Sequence, residues 1–255
     1  MAKKVIGLDI GGSKITGVLF DGKKEMDFLT IVTPKNLFEF ERNILKLVDF
    51  LSAKTKVSAV GVGMAGLINA KKGIAVYSPN IKFIHSLNFN KLFKANGIKN
   101  IKVDNDTNCF TRSELYLGQG KKYKNFLGLI LGTGVGGGIV IDGKIYRGHD
   151  NSGAEFGHAL IEGDYFEQPY QKLRDRRDFK AAGRLIGKMM ASLTNIFAPE
   201  AIIIGGGFGH NEAKKYLPSA KSEMKKFLFN KNSSTKILIS KLKNPGALGA
   251  ALLMK

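Results

Sequence analysis

The chain has 255 residues, of which 44% are hydrophobic and 24% charged, with a formal net charge of +19 and a single cysteine. That composition can bury the core of one large domain or two of ordinary size, and it excludes a disordered or fibrous chain. Lone Cys109 excludes a disulfide framework and a multi-cysteine zinc site. The basic surplus favours anionic partners, but the lysines are scattered, with short clusters only around Lys121, Lys122 and Lys124 and at Arg174, Arg176 and Arg177. Scattered charge reads as a solvated surface, so no specific nucleic acid is expected. The longest uncharged stretch, Phe126 to Ile141, is shorter than the roughly 20 residues that a membrane helix needs. The opening MAKKVIGLDIGG lacks an apolar core followed by a small-residue cleavage site. The expectation is a cytoplasmic protein with neither signal peptide nor membrane partner.

In chain order, VIGLDIGGSKITGVLFDGKKEMDFLTIV reads as three short strands, with a Gly-Gly-Ser turn in the first pair and Asp21-Gly22 as the next hairpin signal. Leu37, Phe40, Ile44, Leu47 and Leu51 then recur at helical spacing. VSAVGVG predicts a buried strand, IKVDND a shorter one, and Thr107 to Leu117 a helix. The second half repeats the order. FLGLILG, VGGGIVID and KIYRG predict strands around a glycine-rich turn and an Asp142-Gly143 hairpin. Arg177 to Phe197 predicts a helix with Phe179, Ala182, Leu185, Ile186, Met189, Leu193 and Ile196 on one face. AIIIGGG is a strand ending in glycine, KILIS a last strand, and GALGAALLM a short closing helix. Two copies of one plan predict two α/β domains with an interdomain cleft, residues 1–108 plus 244–255 and residues 109–243, the cleft being the natural place for a ligand.

Glycine motifs tempt other assignments. Gly61 to Gly66 and Gly132 to Gly137 both satisfy G-x-G-x-x-G, but that fingerprint requires a following helix, and LINAKKGIAVY and GIVIDGKIY read as strands. Gly7 to Lys14 ends Gly-Ser-Lys instead of Gly-Lys-Ser/Thr, so it is not a P-loop either. A glycine-rich turn between two strands presents backbone N–H groups as a small anion nest. Asp9 to Lys14 and Gly132 to Gly134 are such turns at equivalent places in the two halves, which together suit the phosphates of one nucleotide.

Asp104-Asn105-Asp106-Thr107-Asn108 stands at a strand-to-helix junction. One helix cap does not need four such side chains, so a polar site is the better reading, with a carboxylate placed to take a proton from a hydroxyl. Glu155 and His158, three apart near the second nest, could together bind vicinal hydroxyls of a sugar.

The motifs DIGGSK, GMAG, SPN, DNDTN, LGTGVGGG, the EFGH run, IIIGGG and GALGAA occur in the order found in ROK-family sugar kinases, and the chain resembles that family from Lys4 to about Leu253. The resemblance implies two ribonuclease-H-like domains of the actin-like ATPase superfamily. It implies that Asp9 holds Mg²⁺ through water, that Gly11, Gly12, Ser13 and Lys14 line the phosphates of ATP, and that Gly132, Thr133 and Gly134 grip their other side. Gly205, Gly206 and Gly207 would close over the nucleoside. Asp106 would be the general base toward the 6-hydroxyl of glucose or a related hexose. Asn80, Asn105, Glu155 and His158 would bind sugar hydroxyls, with Gly63 to Gly66 as a backbone wall.

The chain departs from the family pattern in three places. The Cys-x-Cys-Gly-x-x-Gly-Cys zinc run that usually follows the Glu-x-Gly-His motif is absent, so no zinc is expected and His158 would act on the sugar alone. The sugar-touching carboxylate after that run has no match, leaving Glu162, Asp164 and Glu167 as alternatives. Ala65 stands where proline is usual. The short zinc-free form looks most like the polyphosphate glucokinase branch, while LGTGVGGG looks like the ATP-using members. ATP is the favoured donor and polyphosphate the alternative. A homodimer, a sugar-sensing regulator and a non-kinase actin-like ATPase also stay open.

Overall fold

The computed structural model describes residues 4–53, 55–57, 59–161 and 163–255. They fall into two compact units, the first comprising residues up to Ser113 with Arg147–Ser152 and Leu242–Lys255, the second Glu114–Tyr146 with Gly153–Lys241.

In the first unit, β1 (Val5–Ile10), β2 (Lys14–Phe20) and β3 (Glu25–Val32) form an antiparallel meander. After α1 (Leu37–Ser52), β4 (Ala59–Met64) pairs with β1 in parallel. β5 (Leu67–Asn69), β6 (Ile74–Tyr77) and β7 (His85–Asn88) make a small separate sheet. α2 (Phe89–Lys94) leads into β8 (Ile101–Asn105), which completes the sheet order β3-β2-β1-β4-β8, and α3 (Asp106–Tyr116) follows directly.

Local chemistry explains these elements. Asn36 caps α1, its side chain accepting the Glu39 N–H at 2.9 Å. Phe40, Ile44, Leu47, Val48 and Leu51 bury one stripe of the helix against Ile15 and the strands. Each such side chain contributes about 1.5–3 kcal/mol by leaving water. Leu37, expected on that stripe, is exposed, and Val48 takes its place because the stripe enters the core only after the first turn. Gly17 makes the approach close, since any β-carbon there would collide with Leu47.

The second unit repeats the plan with β9 (Phe126–Leu131), β10 (Val135–Ile141) and β11 (Lys144–Tyr146), then β12 (Leu160–Ile161) and β13 (Asp164–Tyr165) as a separate two-stranded hairpin. α4 (Glu167–Asp175) and α5 (Phe179–Phe197) precede β14 (Ala201–Gly205), and α6 (Gly207–Asn211) and α7 (Ala213–Phe227) precede β15 (Lys236–Ile239). Its sheet order is β11-β10-β9-β14-β15, with β14 and β15 parallel to β9.

α5 starts at Phe179, two residues later than the sequence predicts. Arg177 sits in the left-handed region at φ 57°, and Asp178 supplies the cap by accepting the Ala181 N–H at 2.9 Å. Ile196, assigned to the buried face, is 71% exposed, although Asn195 beside it still reaches the helix's partner through the Phe227 carbonyl. That partner is α7, which sequence reading missed. Gly183 and Gly187 of α5 lie directly against the Tyr216 and Ala220 carbonyls of α7, a spacing only glycine permits.

The closing helix, Pro245–Ala251, belongs to the first unit and lies across its sheet. A β-carbon on Gly61 would run into the Ala250 carbonyl, its carbon only 2.6 Å away, and one on Gly249 would meet the Cys109 backbone. Backbone thus packs on backbone, and Cys109, Ala250 and Leu253 form a small core of their own. Among the described residues no helix is long and apolar enough to cross a membrane.

Candidate active site

In the first unit the parallel strands set the site residues in register. Asp9 on β1 stands opposite Gly63 on β4, and Gly63 opposite Asp104 on β8. Open α/β sheets place ligands at this carboxyl end of the strands. The side chain of Asp9 lies against the Cα of Gly246 in the closing helix. Burial pushes its pKa from 3.8 up to about 6, against the opposing pull of the Lys14 cation.

The adjoining turn is tight. Gly11 donates its N–H to the Lys14 carbonyl at 3.0 Å, while Thr33 holds the turn from behind, its hydroxyl on the Gly11 carbonyl at 2.6 Å and its N–H on the Ser13 carbonyl at 3.1 Å. Gly12, Ser13 and Lys14 are exposed. Asn80 abuts Gly12, 2.8 Å from where a β-carbon would stand, so the turn and the SPN segment share one wall.

The DNDTN segment caps the helix that follows it. Asn105 caps α3, its side-chain oxygen accepting the Thr107 N–H at 2.8 Å and the Thr107 hydroxyl at 2.6 Å. Its amide donates to the Gly66 carbonyl at 3.2 Å, tying the GMAG loop to the same spot. Gly66 has φ 120° and abuts the Tyr77 carbonyl, so only glycine fits. Asp106 opens α3 and accepts the Thr107 N–H at 2.9 Å. Gly63 lies 3.0 Å, counted from an added β-carbon, from the Cys109 sulfur. Burial pushes the Cys109 thiol well above its usual range, which marks it as a packing residue.

Asp104 escaped the sequence reading as an individual residue. It is 1% exposed and receives Arg147 through Nε at 3.0 Å and Nη2 at 2.7 Å, with Arg112 at 3.7 Å. Only a fold could bring Arg147, 43 residues away, to this carboxylate.

In the second unit, α4 braces the other glycine turn. Gly132 donates to the Gly134 carbonyl at 3.0 Å. The Gly132 carbonyl accepts the Tyr170 hydroxyl at 3.0 Å and the Arg174 guanidinium at 2.8 Å. The Thr133 carbonyl accepts Arg174 at 2.5 Å and the Gln171 amide at 3.1 Å. Arg174, read from sequence as part of a solvated basic cluster, is therefore a brace. At the end of β14, Gly206 takes φ 84° and packs against the Leu131 carbonyl, setting Gly205 to Gly207 beside the Gly132 turn, and the space around Gly207 is open.

His158 Nδ1 lies 3.6 Å from Glu155 Oε2, and its ring meets Tyr165 edge-on at 5.5 Å. Burial raises the Glu155 pKa; His158 opposes that shift and the nearby Glu167 adds to it. Ala154, just before, is held at φ 71°, a strained turn of the kind that collects at sites. Glu167 accepts the Val135 N–H at 2.5 Å and reaches Gly134 and Gly157. Asp164 is exposed, and Glu162 lies outside the described residues.

Each unit is a five-stranded sheet of one antiparallel meander continued by two parallel strands, the actin-like ATPase fold. The chain belongs to the ROK family, whose sequence profile matches residues 5–180 and 176–255. It is 26% identical to the glucokinase of Thermotoga maritima over 99% of this chain and 97% of that one. A crystal structure of a ROK family glucokinase from Streptomyces griseus in complex with glucose and AMPPNP superposes with a TM-score of 0.86 at 25% identity, over 98% of each chain. The inorganic polyphosphate/ATP-glucomannokinase of Arthrobacter sp. strain KM gives 0.79 at 27% identity, over 99% of this chain and 98% of that one.

Proposed function

We propose that this protein is a hexose kinase that transfers the terminal phosphoryl group of ATP to the 6-hydroxyl of glucose or a related hexose. The observation that carries the reading is the row formed by Asp9, Gly63 and Asp104–Asp106 at the carboxyl ends of three adjacent parallel strands, in a chain of the ROK family.

In this reading the first unit supplies Asp106, Asn105, Asn80 and the Gly63–Gly66 backbone to the sugar. It also supplies the Gly11–Lys14 turn to the phosphates. The second unit supplies Gly132–Gly134 and Gly205–Gly207 to the nucleotide, and Glu155 and His158 to sugar hydroxyls. Of the three carboxylates open in the sequence, Glu167 takes the remaining sugar contact, since it neighbours Glu155 and its backbone partner at Val135 holds it in place. Asp106 accepts the proton of the hexose hydroxyl while the oxygen–phosphorus bond forms and the bond to the leaving ADP oxygen breaks. Positioning and charge neutralisation supply most of the acceleration in such a transfer.

Asp9 suits a hydrated magnesium ion, because burial makes its bare carboxylate costly and a cation relieves that cost. Among the described residues no three metal-ligating side chains gather, so the ion would draw its other ligands from phosphate oxygens and water. Magnesium supplies charge neutralisation on the transferring phosphoryl group.

The test is ADP and sugar-phosphate formation with a panel of hexoses, ATP and polyphosphate being offered side by side as donors. Sugar-dependent ADP release that Asp106→Asn cuts by orders of magnitude, with hexose binding retained, supports the reading. ATP turnover indifferent to sugar, or wild-type turnover by Asp106→Asn, overturns it. The polyphosphate arm decides whether the +19 charge serves a polymeric donor.

A further inference from the structure

We infer that Arg147 and Asp104 form a positioning clamp for Asp106; the inference rests on the reading of Asp106 as the base. Asp104 precedes Asp106 by two residues and is almost fully buried. A buried carboxylate is tolerated only when its charge is matched and its lone pairs are filled. Both conditions are met here. One oxygen, Oδ2, takes two N–H donors from the Arg147 guanidinium, at 3.0 and 2.7 Å, with Arg112 behind at 3.7 Å. The other, Oδ1, accepts the backbone N–H of Asn105 at 2.9 Å and the side-chain amide of Asn108 at 3.0 Å.

Those last two bonds straddle Asp106, one on each side in sequence. The backbone that carries the proposed base is thus slung between two tethers that end on a single carboxylate oxygen. The orientation of that carboxylate is set from its opposite side by Arg147. Lysine could match the charge but not the pair of N–H donors from one rigid plane, and the plane is what prevents the carboxylate from rotating. Arg147 also lies where the chain passes from the second unit into the first, since Tyr146 belongs to one and Arg147–Ser152 to the other. Asp104 is closed off from solvent and the Arg147 guanidinium is engaged on it, so in this reading neither is the group that meets the hexose hydroxyl. Their part is to hold Asp106 where it can.

Without Arg147, Asp104 keeps only the more distant Arg112. It then turns toward that cation or takes up a proton, and Asn105 and Asn108 follow it. A displacement of the base near 1 Å is enough to cost on the order of 10²-fold in turnover.

The experiment compares wild type, Arg147→Met, Arg147→Lys, Asp104→Asn/Arg147→Met and Asp106→Asn, using MgATP and the hexose selected by the panel, with thermal melting to verify folding. The expected result is a roughly 10- to 100-fold loss of kcat in Arg147→Met, a smaller loss in Arg147→Lys, and KM for ATP within about twofold of wild type in both. The double variant recovers several-fold over Arg147→Met, because removing the orphaned charge releases the distorted loop. A merely structural role would lower the melting temperature without this kcat-selective pattern or the recovery. Turnover of Arg147→Lys within twofold of wild type, or a double variant no better than the single one, overturns the clamp, and Arg147→Lys alone carries the test should Arg147→Met not fold. Wild-type turnover by Asp106→Asn overturns the base assignment instead, so the two failures are distinguishable.

Discussion

Replacing Gly246 by alanine probes how the closing helix sets the Asp9 carboxylate. Gly246 stands in the first turn of that helix, and an added methyl would lie 2.6 Å from the Asp9 carboxyl carbon and 3.1 Å from Oδ1, with Oδ2 nearer still. Ordinary contact begins at 3.4 Å, so the carboxyl must retreat by close to 1 Å. The helix itself tolerates the change, since no left-handed φ is needed at Gly246 and alanine favours helix over glycine by up to about 1 kcal/mol. That gain offsets part of the cost of crowding the buried carboxylate, and stability should stay within about 2 kcal/mol of wild type. Activity should not. A 1 Å displacement of the group proposed to hold the magnesium ion costs on the order of 10²-fold in kcat. The assay is coupled ADP release across a magnesium titration, with thermal melting alongside. Excess magnesium should restore only part of the lost turnover. A Gly246→Ala protein that melts like wild type and turns over within threefold of it would refute the reasoning, because Asp9 would then not depend on its seat.

The remaining expectations concern the frame. Gly61→Ala drives a methyl into the Ala250 carbonyl, backbone against backbone, and should destabilise the protein by about 3 kcal/mol or more, read as a lower urea midpoint. Ser240→Ala takes a hydrogen bond from the fully buried Glu114 and should cost about 1–3 kcal/mol. Burial raises the Glu114 pKa above its usual 4.5, so the folded state holds that proton longer than the unfolded chain does. Its contribution to stability is full below pH 4.5 and is lost as pH climbs from there to the raised value; Glu114→Gln should flatten that slope in pH-dependent melts. Arg174→Ala removes the guanidinium from the Gly132 and Thr133 carbonyls and should raise KM for ATP about tenfold, with KM for hexose unchanged. Equal changes in both constants would show that α4 does not brace the nucleotide turn.

Much of this protein is local and therefore readable from its residues in order. The alternation of apolar strands, the Asp21-Gly22 and Asp142-Gly143 turns and the repeated plan are set by side-chain period and by where the backbone needs glycine, and the two sheets follow them. The cap at the DNDTN junction and the sequential pairing of Glu155 with His158 are equally near-neighbour matters. The missed elements were those whose stability comes from contact and not from pattern. α7 carries a proline and a lysine-rich outer face, and its helical state is secured by the glycines of α5 that let it approach.

What only the tertiary structure decided was which polar residues are anchors. Asp104, Arg147, Arg174 and Glu114 look in sequence like members of a cap, a strand end, a basic cluster and a helix surface. Their roles depend on partners 43, 42 and 126 residues distant in the chain. The pull that moves Asp9 to about 6 likewise comes from burial, which in this structure includes Gly246 at the far end of the chain. Charge and hydrogen bonding act through space, so an ionisable side chain acquires its function only when folding has chosen its neighbours.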